Sequence, residues 1–212
     1  MKLTPNSKLP ACPAGRQTPN SKGLIFVFSG PSGSGKTTLR DTLLKDAKFK
    51  GRIFKSVSFT TRPRRTRERS KRDYFFISEA DFQRARKEKK ILEWTRYLGY
   101  YYGTSQEFVR RALSQGRNLI LCLDLKGARR VKRLYPENTV SVFVLAPSLK
   151  VLRSRIEKRC QKTPEKETCR RLELAAKEMK AASSFDYRVV NNNLKQAVAD
   201  LKGVILKATG LT

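Results

Sequence analysis

Apolar and polar positions alternate in blocks along this chain from residue 24 onward. Short apolar runs, which are strand candidates, lie near 24–29, 55–59, 73–77, 91–95, 118–123, 139–145 and 186–190. Amphipathic helix candidates lie near 36–46, 79–89, 105–115, 126–134, 147–158, 168–182 and 193–207. Strands that alternate with helices pair in parallel and are covered on both faces. The pattern therefore predicts an α/β domain with a central parallel sheet, in which the strongly apolar runs 119–123 and 140–145 are buried central strands.

Two segments depart from this alternation. Residues 1–22 contain four prolines and no acidic residue, and the sequence Thr-Pro-Asn-Ser-Lys occurs twice in them, at 4–8 and 18–22. Prolines at this density oppose a targeting helix, so we expect a disordered basic tail followed by one domain over 23–212. Residues 55–104 crowd three short strand candidates around one helix candidate, which indicates a small domain inserted into the core.

A glycine-rich stretch follows the first strand directly. Residues 29–38 read Ser-Gly-Pro-Ser-Gly-Ser-Gly-Lys-Thr-Thr and match the phosphate-binding pattern G-x-x-x-x-G-K-[ST]. The glycines let the backbone aim its N–H groups at phosphate oxygens, and the next helix presents its positive N-terminal end to the same anion. Lys36 is expected to reach the β- and γ-phosphates, and the Thr37 hydroxyl to ligate Mg²⁺. The predicted nucleoside triphosphate site comprises Gly30, Pro31, Ser32, Gly33, Ser34, Gly35, Lys36, Thr37 and Thr38.

Composition narrows the chemistry that this site can perform. The 212 residues carry a formal net charge of +29, from 47 Lys and Arg against 18 Asp and Glu. Such a charge attracts nucleic acid without sequence preference, and it is equally typical of a Lys/Arg-rich proteome. There is no histidine, which argues against Ser–His or Cys–His nucleophilic catalysis, whereas phosphoryl transfer relies on positioning, Mg²⁺ and cations. The four cysteines lack zinc-site spacing, and without a secretory signal or a membrane-spanning run we expect a reduced, cytoplasmic setting.

The inserted segment is rich in residues that bind phosphate and purine. Arg62 and Arg65 lie three residues apart and are followed by tyrosines, and arginines so placed can fork a phosphate monoester. A carboxylate such as Glu93 can accept hydrogen bonds from the N1–H and the exocyclic amine of guanine, a donor pair that adenine lacks. Taken alone, the run 62–72, with seven basic residues and one acidic residue, would instead indicate a solvated or nucleic-acid-binding segment.

These motifs, in this order and spacing, resemble the guanylate kinase family. The matching positions are Ser58, Thr60, Thr61, Arg62, Arg65, Glu68, Tyr74, Glu93-Trp94 and Tyr101-Tyr102-Gly103-Thr104. The resemblance runs from about Leu24 to residue 207. It implies a P-loop nucleoside-monophosphate-kinase fold with ATP as co-substrate, GMP as substrate and Mg²⁺ as cofactor. It also implies a GMP-binding subdomain over 55–104, a lid over 158–171, and a core made of 23–54, 105–157 and 172–212.

The resemblance also implies a role for each matching residue on the acceptor side. Three residues are expected to face the guanine: Ser58, Glu93 and Thr104. Four residues are expected to hold the GMP phosphate: Arg62, Arg65, Tyr74 and Tyr102. Asp124, which follows the run 119–123, matches the family's aspartate near GMP and the Mg²⁺ shell.

On the donor side, the resemblance points to the lid and to the end of the last strand. Arg159 and Arg171 would close on the transferring phosphoryl group, where cations stabilise developing charge. Asn191 would lie near the adenine of ATP. The expected catalytic residues are Lys36, Arg62, Arg159 and Arg171.

Several positions differ from the family pattern. The family's aspartate two residues before Asp124 is Cys122 here, and its glutamine before Gly127 is Lys126. Two glycines of the GMP loop are replaced by Arg67 and Lys71, and the lid has Cys160 for a glycine and one extra residue before Arg171. If those loop positions need a positive φ, each replacement costs about 1–2 kcal/mol. We expect these changes to alter kinetics more than to abolish activity.

The residues favour an ATP:GMP phosphotransferase of purine nucleotide metabolism over three alternatives. A non-catalytic module that binds phosphoproteins typically lacks the loop lysine, whereas Lys36 is present. A related kinase could take another phosphorylated acceptor, such as a ribose bisphosphate, but Ser58 and Glu93 indicate a guanine. The charge of +29 would give nucleic-acid binding without sequence specificity. No membrane partner is expected, and the oligomeric state is left open.

Overall fold

The computed structural model describes residues 23–66, 68–97, 99–159 and 165–211. The predicted tail over 1–22 and Arg67 lie outside the described residues. The chain divides into two compact units: a small unit, Gly51–Leu119 with Gly23, and a large unit, Leu24–Lys50 together with the residues from Ile120 onward. The small unit contains the segment 55–104, and the large unit contains the glycine-rich loop.

The elements largely follow the predicted pattern. In chain order they are β1 (Ile25–Ser29), α1 (Lys36–Leu43), β2 (Ile53–Lys55), β3 (Ser58–Thr60), β4 (Tyr74–Phe76), α2 (Glu79–Lys87), β5 (Ile91–Tyr97), β6 (Tyr100–Ser105), α3 (Gln106–Ser114), β7 (Asn118–Cys122), α4 (Leu125–Leu134), β8 (Thr139–Leu145), α5 (Leu149–Arg159), α6 (Glu165–Met179), β9 (Tyr187–Val190) and α7 (Leu194–Thr209). A short 3₁₀ turn, Ala182–Ser184, precedes β9. Within the described residues, no helix has the length and apolarity that crossing a bilayer demands.

The larger sheet is built from apolar strands in parallel register. Its strands lie in the order β7, β1, β8, β9, and the short β2 flanks β7. Strand β1 pairs in parallel with β8, and β8 pairs in parallel with β9. The side chains of Phe26, Phe28 and Phe143 are fully buried, as burial on both faces requires. The central parallel sheet predicted from the sequence is confirmed.

The smaller sheet is mixed and has the order β4, β3, β6, β5. Strands β3 and β4 are parallel, whereas β6 runs antiparallel to both β3 and β5. The sequence predicted one strand near 55–59, but β2 belongs to the larger sheet and β3 to the smaller, so the chain is interrupted between them. The sequence also gave no separate strand for 100–105, which forms β6 and pairs with β5 as a hairpin.

Two lysines occupy left-handed backbone conformations, the only non-glycine residues of the described ranges that do so. Lys71, one of the two positions where the family has glycine, has φ 65°, so the strain expected there is present. The other position, Arg67, lies outside the described residues. Lys89 has φ 54° just after α2. At this helix end the Lys90 N–H donates to the Ala85 carbonyl at 2.9 Å, and the Lys89 N–H donates to the Arg86 carbonyl at 3.1 Å. Helices that end with this pair of hydrogen bonds usually have glycine at the left-handed position.

Lys89→Gly should stabilise the protein. Relief of the left-handed strain outweighs the added freedom of glycine in the unfolded chain by about 0.5–1 kcal/mol, equivalent to roughly 1–4 °C in Tm. Lys89→Ala is the matched control, because it removes the same charge and keeps the Cβ. Calorimetry that gives both variants the same Tm would show that the backbone at Lys89 is not strained.

Candidate functional site

The glycine-rich loop of the large unit has a backbone that only glycine can adopt at three positions. Gly30, Gly33 and Gly35 have φ values of 133°, 87° and 94°. A Cβ on Gly30 would overlap the Val144 carbonyl oxygen in β8, and a Cβ on Gly35 would overlap the Asn191 side chain. The loop therefore lies pressed against the carboxyl ends of β8 and β9, where parallel α/β sheets bind their ligands.

Lys36 is folded over this loop. Its Nζ donates to the carbonyl oxygens of Gly30 at 2.5 Å and Pro31 at 2.9 Å. The Ser34 N–H closes the turn by donating to the Pro31 carbonyl at 3.1 Å. The structure thus brings the loop amides, the start of α1 and the ammonium group together, which is the arrangement that cradles a triphosphate. Ser32 and Thr37 are half-buried and Thr38 is exposed.

Asn191 supports the loop from the end of β9. It is 6% exposed, and its Nδ2 donates to the Ser34 carbonyl at 2.8 Å. Its own N–H donates to the Leu145 carbonyl at 2.8 Å, and its carbonyl accepts from Nη2 of Arg155 at 2.9 Å. Asn191 therefore acts on the phosphate loop, a role that the sequence did not suggest, and its expected place near adenine stays a prediction.

The predicted acceptor residues lie on one face of the smaller sheet. Register places Ser58 beside Tyr74, and it places Glu93 opposite Thr104 and Thr95 opposite Tyr102. Because side chains alternate along a strand, these positions point to the same side. This acceptor face carries five predicted GMP-binding residues, namely Ser58, Tyr74, Glu93, Tyr102 and Thr104.

A buried carboxylate lies in the acceptor face. Glu93 is 3% exposed and Thr104 is fully buried. The Thr104 hydroxyl donates to Oε1 of Glu93 at 2.5 Å. A carboxylate held so firmly is costly to bury unless it serves as an acceptor for a partner, and the two N–H groups on one edge of guanine are such a partner.

Arg62 extends the acceptor face with a positive charge. Its guanidinium lies 5.6 Å from the ring centroid of Tyr74, whose ring is 6.0 Å from that of Tyr102. Its Nη2 donates to both carboxylate oxygens of Glu68, at 2.8 and 2.9 Å. Burial alone would lower the pKa of Arg62, but Glu68 and Tyr102 raise it above its usual value. Arg62 therefore stays charged and fixed in place.

Glu68 holds the guanidinium of Arg62 in place, a contact that the sequence interpretation missed. Burial acts to raise its pKa, but the pair with Arg62 and the backbone N–H of Arg65, at 3.0 Å, hold the pKa below its usual value. The signal was present, because Glu68 is one of the matching family positions, but no role was assigned to it. The Arg65 side chain itself is exposed, so its predicted contact with phosphate stays a prediction.

The predicted lid and strand-end residues are placed only in part. Arg171, on α6, is 9% exposed, whereas the Arg159 side chain and residues 160–164 lie outside the described residues. The Asp124 carboxylate accepts from the Gly127 N–H at 2.8 Å and so caps α4. The role near GMP and Mg²⁺ that was expected for Asp124 stays a prediction.

Charged and polar groups surround Lys36 in the large unit. Burial raises the pKa of Glu178, the charge of Lys36 lowers it, and the carboxylate of Asp124 raises it. Glu178 has no motif that could have revealed it. Desolvation raises the pKa of the Cys122 thiol although Arg40 and Lys36 oppose this, and Nη1 of Arg40 lies 4.0 Å from its Sγ. Cys122 is thus a neutral thiol where the family usually has a carboxylate.

The donor set at the loop fits a Mg²⁺ ion that arrives with ATP. Such an ion typically takes one or two protein oxygens and completes its shell with phosphates and water. The Thr37 hydroxyl, in the first turn of α1, is a donor of that kind. In the part of the chain that the structure describes, no group of three or more Asp, Glu or Cys side chains forms a metal site of its own.

The chain matches the family model for guanylate kinase over residues 22–208. The chain belongs to the guanylate kinase family. The guanylate kinase of Symbiobacterium thermophilum is 42% identical over 87% of this chain and 85% of its own length. Those of Thermotoga maritima and Caldanaerobacter subterraneus are 41% and 38% identical, each over 87% of this chain and over 86% and 87% of their own lengths.

Solved structures agree with this membership of the guanylate kinase family. The crystal structure of guanylate kinase from Anaplasma phagocytophilum matches with a TM-score of 0.73 and 28% identity, over 88% of this chain and 86% of that chain. The family and the fold class expected from the sequence are confirmed. The roles of individual site residues stay predictions.

Glu68→Gln should loosen Arg62, because one oxygen of the paired carboxylate becomes an amide. We expect the KM for GMP to rise roughly 10–100-fold, as for the loss of one charged hydrogen bond, with an unchanged KM for ATP. The folded-state pKa of Glu68 is lowered, so its contribution to stability is complete above the unfolded pKa of about 4.5 and is lost as the pH falls through the lower folded value.

Thermal unfolding between about pH 3 and 7 therefore checks the same pair. The difference in Tm between the native chain and Glu68→Gln should be largest above about pH 5 and should shrink in acid. Exposed Glu137→Gln is the control. A pH-independent difference in Tm would show that Glu68 does not act through its charge.

Proposed function

We propose that this protein catalyses the Mg²⁺-dependent transfer of the γ-phosphoryl group of ATP to GMP, giving ADP and GDP. The observation that carries the proposal is the buried Glu93 carboxylate, held by Thr104 on the same sheet face as the tyrosines beside Arg62. A guanine acceptor and phosphate-binding cations thus belong to one surface of the small unit. The positive-φ loop of the large unit supplies the site for the triphosphate.

Guanine recognition follows from the hydrogen-bonding chemistry of the Glu93 carboxylate. An ionised carboxylate only accepts hydrogen bonds, so it pairs with the N1–H and exocyclic amine of guanine. Adenine has an unprotonated N1 and would place a lone pair against the carboxylate. A site built for hydrogen bonds rejects such an analogue strongly, because its buried polar groups are left unpaired.

The arginines and tyrosines of the small unit would position the phosphate group of GMP. Arg62, clamped by Glu68, presents a charged guanidinium next to Tyr74. A fixed guanidinium orients a phosphate better than a flexible ammonium does, because its planar fork matches phosphate oxygens. Exposed Arg65 is expected to complete the phosphate grip when GMP binds.

The chemical step needs no protein base. An oxygen of the GMP phosphate attacks the γ-phosphorus, and the bond from that phosphorus to the β–γ bridging oxygen breaks and leaves ADP. The GMP phosphate oxygen is already a nucleophile, in keeping with a chain that has no histidine. Lys36, Arg159 and Arg171 are expected to neutralise charge on the transferring group.

The metal site is part of the proposal. Thr37 would contribute its hydroxyl to Mg²⁺, and Asp124 would lie near the ion's water shell. When bound, the ion would supply positive charge that neutralises the charge developing on the transferred phosphoryl group. We also expect the lid, residues 158–171, to exclude water that would otherwise hydrolyse ATP. A cytoplasmic setting is part of the same expectation.

A non-catalytic binding module is the second candidate. It would need the acceptor face but not the loop lysine. The Lys36 ammonium is held in the loop by two carbonyl oxygens, a position from which it can reach a triphosphate, and this favours catalysis. A kinase for another phosphorylated acceptor is disfavoured by Glu93.

Release of ADP from Mg-ATP, measured with GMP, AMP, CMP or UMP, tests the function directly. We expect turnover with GMP and at least about 100-fold less with AMP, as for the loss of paired hydrogen bonds. Lys36→Met should lower kcat about 10³-fold, while GMP binding measured by calorimetry is retained. ATP binding without turnover of any monophosphate would favour the binding module.

Glu93→Gln should lower kcat/KM for GMP by roughly 10–100-fold, because the amide group places a donor against the guanine donors. The KM for ATP should change less than about two-fold, since the residue lies on the acceptor face. Glu137→Gln, on the surface, is again the control. Equal losses for both nucleotides would assign Glu93 a structural role instead.

A further inference from the structure

The smaller sheet has a second face, opposite the acceptor face. Register places Trp94 opposite Gly103 and Arg96 opposite Tyr101. Because side chains alternate along β5 and β6, these residues point away from Glu93. Phe82 of α2 stacks on Tyr101 with ring centroids 5.2 Å apart, so α2 packs on part of this face, whereas Trp94 stays exposed.

Aromatic rings and arginines are interleaved on this second face. The guanidinium of Arg86 lies 4.8 Å from the Trp94 ring centroid, and that of Arg96 lies 5.4 Å from the Tyr101 centroid. The rings of Trp94 and Tyr101 are 5.8 Å apart, and Trp94 is 40% exposed. We call these four residues the Trp94 surface. Its arginines are exposed, and the phosphate-transfer site makes no use of them.

Lysines flank the Trp94 surface in the sequence. Lys87, Lys89 and Lys90 are exposed, and the acidic residue among them, Glu88, pairs with Lys90 at 2.5 Å. Lys89 occupies a left-handed conformation that glycine adopts without strain. Strain that persists in a folded chain is a reason to look for function at that position. Positive charge is therefore concentrated in the stretch of sequence that leads from α2 into β5.

We propose that the Trp94 surface binds single-stranded nucleic acid without sequence preference. Unstacked bases stack on exposed aromatic rings, and the phosphates between them are drawn to arginine and lysine side chains. Stacking on the exposed indole requires an unstacked base, which a single strand offers and a duplex does not, so a single strand fits better. A net charge of +29 adds long-range attraction to the same polyanion.

The proposal goes beyond the nucleotide chemistry and is independent of it. Glu93 and Trp94 are neighbours in sequence but project from opposite faces of β5. GMP on the acceptor face therefore leaves the Trp94 surface accessible. A strand of nucleic acid and GMP should bind the same chain simultaneously.

The indole itself provides the first measurement, because Trp94 is the only tryptophan in the chain. We expect titration with oligo(dT) or poly(U), in the presence of saturating GMP, to quench its fluorescence at about 0.05 M salt. Binding should persist measurably at about 0.15 M salt. The proposal is overturned by an unchanged indole signal, by loss of binding when GMP is added, or by equal quenching from anionic phospholipid vesicles.

Matched double variants separate a local site from diffuse charge. Arg86→Ala with Arg96→Ala removes two arginines from the Trp94 surface, and Arg129→Ala with Arg133→Ala removes two exposed arginines from α4. Measured by the anisotropy of a labelled oligonucleotide, the first pair should weaken binding at least about ten-fold and the second less than about three-fold. Trp94→Ala should cost about ten-fold or more, as stacking losses do.

Two further results keep the test independent of folding and of catalysis. Lys89→Gly should weaken nucleic-acid binding about two-fold while it raises Tm, which a merely destabilised protein cannot do. The Arg86/Arg96 double variant should keep the kcat of the native chain for GMP phosphorylation. Equal losses of binding in the two double variants would show that net charge alone attracts the strand and would refute the proposal.

Discussion

The conformation of the loop after β1 constrains the rest of the large unit. Its three positive-φ glycines let the backbone pass between the Val144 carbonyl and the Asn191 side chain without a clash. Any Cβ at Gly30 or Gly35 would push the loop away from the sheet. The parallel pairing of β1, β8 and β9 brings three carboxyl ends to one edge, and that edge positions the loop. Lys36 depends on this arrangement, because its Nζ is held by carbonyls of the same loop.

In the small unit, the constraint is that successive side chains of a strand point to opposite faces of the sheet. It places a buried carboxylate on one face of β5 and an exposed indole on the other, one residue apart. Neighbouring residues can thus serve unrelated ligands without competition. Internal contacts such as the Arg62–Glu68 pair and the Thr104–Glu93 hydrogen bond fix the side chains of the acceptor face.

Local patterns predicted most of the fold, and they failed where pairing between distant segments decided the outcome. The bounds of β8, Thr139–Leu145, coincide with an apolar run that is rich in β-branched residues and favours a strand over a helix. By contrast, residues 100–105 combine tyrosines with small and polar residues and have no apolar run. They form a strand because they pair with both β3 and β5. The loop residues 30–38 could be predicted because their spacing carries the chemistry. The support that Asn191 gives to Ser34 spans 157 positions and leaves no local signal.

The excess of basic residues changes what each acidic residue does. With 18 acidic against 47 basic side chains, an acidic group rarely lacks a cation nearby. Asp73 has Arg72 and Lys55, and Asp186 has Lys132 and the hydroxyl of Ser141. The hydrogen bond from Arg72 holds the pKa of Asp73 below its usual value. Burial acts to raise the pKa of Asp186, but hydrogen bonds from Ser141 and Lys132 outweigh it and lower that pKa.

These carboxylates therefore stabilise the basic side chains around them. Loss of Asp73 would leave the charges of Arg72 and Lys55 uncompensated, and loss of Asp186 would leave Lys132 and Ser141 without their shared acceptor. Salt screens repulsion between exposed cations more than it weakens part-buried pairs. The fold should consequently tolerate high ionic strength better than the loss of a single acidic residue such as Asp186. In this chain the rare charge, rather than the abundant one, determines local structure.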